Sequence, residues 1–117
     1  MPLPVSHNLD DVLVIELNEI IDIANADHIR TDLVRRLLRA PGQETSVVVV
    51  DLRCSCLTST GVAVLEDVQD LAAALRLRLL VVATYPFTRR VLRITAVDQR
   101  LEVYPRLATA LEAARRR

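Results

Sequence analysis

Tryptophan is absent from this chain, and aromatic residues make up only 3% of it. Nothing therefore offers a stacking platform for nucleotide bases, and fifteen basic residues set against fifteen acidic ones leave no basic surplus to follow a phosphate backbone. Direct binding of nucleic acid is excluded on both counts. No apolar run approaches membrane-spanning length, and the opening MPLPVSHNLDD has neither the positive start nor the long apolar stretch of a signal peptide. The expectation is a cytoplasmic protein without membrane insertion. Catalytic signatures are missing too, since no GxGxxG, P-loop or GxSxG follows a strand. His7 and His28 lie in segments that pair no base with a nucleophile, and both are expected on the surface. Together with Cys54 and Cys56 they are too few and too scattered to hold a metal. The two cysteines stand two apart in a stretch that reads as extended, where a disulfide across one residue would be strained, so reduced, semi-buried thiols are expected. No cofactor and no enzymatic activity are assigned.

What the chain does have is aliphatic bulk. Half of its 117 residues are apolar, chiefly Val, Leu, Ile and Ala, enough for one core and not for two. Residues 12–17 form a β-branched run, with a weaker strand at 3–8 before it, placed at a sheet edge because Pro4 cannot donate to a ladder. Asn25 is positioned to cap a helix whose Ile29, Leu33, Leu37 and Leu38 share one face, and Pro41-Gly42 ends it. The segment from Ser46 to Leu52, with four valines in a row, predicts a strand buried on both faces, at the centre of a parallel sheet. A second helix opens at Thr58-Ser59-Thr60-Gly61 and carries Val62, Val64, Leu65, Val68, Leu71, Ala72 and Leu75 at helical spacing. Further strands are read at Leu79–Ala83 and Leu101–Val103, a third helix from Pro86, and a last one from Leu107 to about Ala114. This alternation predicts an α/β fold: a mixed, mostly parallel sheet of four to five strands joined by right-handed crossovers and covered by about four helices. Sites in such sheets lie beyond the carboxyl ends of the strands, here the loops at residues 19–26, 53–61, 84–88 and 104–106.

Two of these loops stand out. Thr58, Ser59 and Thr60 put three hydroxyls in a row at a helix start, where they serve either as caps or as phosphate acceptors set against the positive end of the helix dipole. Asp22 follows the apolar pair Ile20-Ile21 and precedes the first helix, where a carboxylate can orient that helix or meet a partner.

In end-to-end order these segments resemble the STAS domain of bacterial anti-sigma factor antagonists, over residues 1–117 read as a single STAS domain. Glu19-Ile20-Ile21-Asp22 stands where the family has a "GELD"-like turn, and Val47 to Leu52 followed by Thr58-Ser59-Thr60-Gly61 stands where it has an apolar strand, Asp/Asn-Leu and "DSSG". Pro86, Arg90-Val91-Leu92 and residues 101–111 look like its closing elements. Thr60 takes the place of the usual phosphate acceptor and Thr58 that of the leading aspartate, and the loop between Asp51 and Thr58 is slightly shorter than is usual in the family.

The resemblance implies an anti-sigma factor antagonist. Such a protein binds an anti-sigma factor that is also a serine/threonine kinase, frees the sigma factor, and is switched off by phosphorylation of the TSTG loop, at Thr60 or Ser59. Asp22, Thr58, Ser59, Thr60, Gly61 and Val62 would form the partner-binding surface, with Val64 among its apolar neighbours or else in the core. ATP and magnesium would belong to the kinase. The rival is a scaffold: a STAS-like subunit docked constitutively in a larger assembly such as a lipid-transport complex, a reading that Thr58 in place of aspartate favours. An unpaired edge strand is also able to support a homodimer.

Overall fold

Val47–Leu52 is buried along its whole length, Asp51 included, and its four successive valines suit a strand covered on both faces. A computed structural model of the chain, which describes residues 5–9, 11–95 and 99–116 and side chains from residue 11 onward, places this strand at the centre of a five-stranded sheet. In chain order the elements are β1 (Val5–Leu9), β2 (Val12–Leu17), α1 (Ala26–Arg39), β3 (Val47–Leu52), α2 (Ser59–Ala74), β4 (Arg78–Ala83), α3 (Pro86–Ile94), β5 (Glu102–Tyr104) and α4 (Leu107–Arg115). A single 3₁₀ turn, Pro41–Gln43, follows α1. The strands lie side by side in sequence order, β1 antiparallel to β2 and the other pairs parallel. The mostly parallel sheet and its four helices are those expected from the sequence. The side chain of His7 and the backbone of Pro4 lie outside the described residues.

Strand periodicity divides the core in two. Leu13, Ile15, Leu17, Val48, Val50, Leu52, Leu79, Val81 and Ala83 face α1, α2 and Leu92 of α3, while Val12, Val14, Val47, Val49, Leu80 and Val82 face α4 through Ala110. The nine-residue helix α4 thus packs on this sheet face over β3, β4 and β5. Arg78 pins the far end of that helix. Its Nη1 donates to the carbonyls of Ala113 (2.9 Å) and Arg116 (3.0 Å), and its Nε and Nη2 reach Glu102 at 2.8 and 2.6 Å, a two-pronged pairing that also satisfies carbonyls the helix leaves open.

Two expectations are corrected here. Leu38 does not share the core face of α1: Ile29, Leu33 and Leu37, four apart, line that face, and Leu38, turned about 100° further round, is 57% exposed. Asn25 does not cap α1 with its side chain, which is bonded within the loop before the helix, as described below.

The end of α2 is closed without glycine. Leu77 N–H donates to Ala72 (2.8 Å) and Arg76 N–H to Ala73 (3.1 Å), with Arg76 in the left-handed region at φ 59°. These are the paired bonds of a Schellman closure, at the position where glycine is most at ease.

Candidate functional site

The site is built from two loops that hold each other in place. In the first, between β2 and α1, Asp22 Oδ1 accepts from the N–H groups of Ala24 (2.9 Å) and Asn25 (3.0 Å), while Asn25 Oδ1 accepts from Asp22 N–H (2.8 Å). The two residues satisfy one another's orphan donors in the manner of a capping box. Asn25 Nδ2 also donates to the Ile20 carbonyl at 2.9 Å, so its side chain is spent on shaping the loop and not on the free end of the helix. The Asp22 carboxylate thus shapes the loop that leads into α1, and the first N–H of the helix, that of Ala26, donates to the Asp22 backbone carbonyl at 2.9 Å.

In the second loop, between β3 and α2, Thr58 is the N-cap of α2, its Oγ1 accepting from Gly61 N–H at 3.0 Å. The same hydroxyl donates to the Ile21 carbonyl in the first loop. A threonine can do both at once because its oxygen carries a proton as well as lone pairs; an ionised aspartate at this position accepts only. Gly61 permits the close approach, since a Cβ there would lie 2.8 Å from Cδ1 of Leu57 and 3.5 Å from Cβ of Ile21. Thr58 and Gly61 thus join the starts of α1 and α2.

Ser59 and Thr60 remain. They are the first two residues of α2, and their hydroxyls make no hydrogen bond among the described residues. Ser59 is exposed and Thr60 half-buried. Thr60 opens with Thr58, Asp22, Ile23 and Ala24 onto a shallow cavity of about 350 Å³. Val62 does not belong to this surface: only 6% exposed, it packs into the core with Val64 and Leu65, because it follows Gly61 onto the inward side of α2. The expectation that Val62 meets a partner directly is therefore corrected to core packing, and of the two places read for Val64 the core is the one it takes.

Sequence reasoning missed the apolar rim. Ile23 is 89% exposed, and Ile20 and Tyr85 are also uncovered, all beyond the carboxyl ends of β2 and β4. The available signal was an isoleucine or aromatic in a polar loop that follows a buried strand. The 84–88 loop is tied to the site through Thr88, whose Oγ1 donates to the Cys54 carbonyl at 3.4 Å. The loop at 104–106 makes no such tie among the described residues. Both cysteines are free thiols, Cys54 buried and Cys56 half-buried, and burial pushes the Cys54 thiol above its ordinary value. His28 is exposed, as expected. Among the described residues no cluster of His, Cys, Asp or Glu could hold a metal ion, and no helix is long and apolar enough to cross a membrane.

The STAS domain model matches residues 4–110. An anti-sigma factor antagonist from Mycobacterium paratuberculosis is 26% identical, with a TM-score of 0.80 over 96% of this chain and 92% of that one. The Thermotoga maritima protein TM1081 superimposes with a TM-score of 0.84 at 19% identity, covering 97% of this chain and 95% of its own. The anti-sigma factor antagonist SpoIIAA in its unphosphorylated form gives 0.72 at 16% identity, over 96% of each chain. No curated protein matches. With a family match over nearly its whole length, and with the two-loop edge built as described, the chain belongs to the STAS domain family.

Proposed function

We propose that this domain is an anti-sigma factor antagonist: its carboxyl edge docks an anti-sigma factor with serine/threonine kinase activity, the sigma factor is released, and phosphorylation of Thr60 or Ser59 ends the complex. The observation that carries this reading is the meeting, on one edge, of two unbonded hydroxyls at a helix start with the bare side chains of Ile20 and Ile23. The likeness to the 26% identical antagonist supports it.

The chemistry follows from the position. Ser59 and Thr60 open α2, so a phosphate there meets open N–H groups and the positive end of the helix dipole, and the domain tolerates it. The partner does not. A charge of about −2 arrives on a loop whose Thr58 is neutral and whose nearest carboxylate, Asp22, lines the same cavity, so two negative groups then share one rim. Repulsion and the cost of desolvating the phosphate weaken the complex, and each loss of about 1.4 kcal/mol lowers the affinity tenfold.

The test is to incubate the purified protein with ATP, Mg²⁺ and each candidate anti-sigma kinase of its source, map phosphate by mass spectrometry, and follow sigma release by size-exclusion chromatography. Phosphate on Thr60 or Ser59, abolished by Thr60→Ala or Ser59→Ala respectively and accompanied by loss of kinase binding, is the expected result. Absence of any complex would refute the reading. A stable complex indifferent to phosphate would replace the switch with a constitutive scaffold role.

A further inference from the structure

The outer face of α3 is apolar and basic, and among the described residues nothing is laid over it. Phe87 is 54% exposed and Ile94 74% exposed, and at seven residues' separation they fall on one line of the helix. Arg90 and Arg93 flank that line on one side, both exposed and without an ion pair among the described residues. Arg89 is already engaged, donating to the carbonyls of Ala83 (3.0 Å) and Thr84 (2.9 Å), and the helix PFTRRVLRI contains no acidic residue. Leu92 and Thr88, on the opposite side, are fully buried, so α3 is anchored and its outer face is fixed in orientation.

We infer that this face is a second docking strip for the partner of the proposed function, fitting an amphipathic helix whose apolar side chains meet Phe87 and Ile94 and whose carboxylates meet Arg90 and Arg93. The inference rests on that reading of the carboxyl edge, with which the strip is continuous: α3 begins at the end of β4, and Thr88 is bonded to the Cys54 carbonyl in the hydroxyl-bearing loop. Charge decides the kind of partner. A second copy of this chain is a poor mate, because the acidic face of α2 is matched internally, Glu66 and Asp70 by Arg100 and Asp67 by Arg30. A membrane is a poor mate as well, since two apolar side chains and two cations are too few for stable anchoring.

The experiment uses the kinase that forms a complex with the unphosphorylated protein and measures its affinity by titration calorimetry at low and moderate salt. It compares wild type with R90E/R93E and F87S/I94S, each first shown by circular dichroism to keep the native fold. The expected result is that R90E/R93E binds at least about tenfold more weakly and loses most of its salt dependence, while F87S/I94S loses affinity with the salt dependence intact. A wild-type complex to which both variants are indifferent overturns the strip alone. Silence of the wild-type protein towards every kinase overturns the proposed function and the strip with it. Binding of the wild type to anionic phosphatidylserine vesicles, lost in R90E/R93E and competing with the kinase, reassigns the face to lipid.

Discussion

Replacing Thr58 tests whether one hydroxyl joins the two halves of the site. Thr58→Val keeps the shape and removes both hydrogen bonds, the cap on Gly61 N–H and the donation to the Ile21 carbonyl. Loss of an N-cap costs about 1 kcal/mol. Loss of a half-buried bond to a carbonyl adds about 1 kcal/mol. With about 2.1 cal/mol/K of unfolding entropy per residue, a 117-residue domain shifts by roughly 4 °C per kcal/mol, so Thr58→Val should melt about 8 °C lower. Thr58→Asp separates the two effects, because a carboxylate still caps Gly61 but has no proton for Ile21; it should fall by about 4 °C, and Thr58→Ser by less than about 2 °C. Thermal unfolding followed by circular dichroism at neutral pH reads all three. Hydrogen exchange adds a local test, since only loss of the Ile21 tie should speed exchange at Ala24 and Asn25 in the other loop. Thr58→Asp as stable as wild type, with those amides unchanged, would refute the idea that the tie matters.

Leu65→Ala, at a position with no exposed surface in the middle of α2, should cost about 3 kcal/mol and lower the melting temperature by about 12 °C in the same assay. Arg76→Gly should do the reverse, raising it by about 4 °C, because glycine relieves the left-handed strain of about 1 kcal/mol at the end of α2. The hydrogen bonds from Arg78 hold the Glu102 carboxyl below its ordinary 4.5. A carboxylate lowered by folding stabilises at pH values above its unfolded pKa, and that contribution disappears as pH falls through the folded one. Urea titrations should therefore show Glu102→Gln less stable than wild type at pH 7, with the gap closing below pH 4.5. A thiol reagent at pH 8 should label Cys56 first and Cys54 only on unfolding, since Cys54 is buried and its thiol is pushed up.

Most of the frame was legible because its signals are local. The Val47–Val50 run points to a strand covered on both faces, and the alternation around it to a mostly parallel sheet, while the order of the strands is seen only in the fold. What escaped depends on rotations of a fraction of a turn. Leu37 and Leu38 are identical in chemistry, and only the seating of α1 on the sheet decides which is buried. Val62 stands beside the hydroxyl loop in sequence yet points into the core, because Gly61 presses the helix start against Ile21. The role of Asn25 was hidden for a related reason: it is a good cap by type, and only the fold of the loop sends its amide to the Ile20 carbonyl and its Oδ1 to the Asp22 N–H. The outward face of α3 escaped notice because its apolar residues keep helical spacing, which by itself reads as core.

The cover of the second sheet face has a consequence for how the molecule is made. A chain synthesised from its amino end makes α4 after every strand and after α1, α2 and α3. Until then Val12, Val14, Val47, Val49, Leu80 and Val82 form a bare aliphatic wall, open to any other nascent or misfolded segment. Arg78, on β4 with Glu102 beside it, is the latch that takes hold of α4 by its last carbonyls and so holds that wall closed.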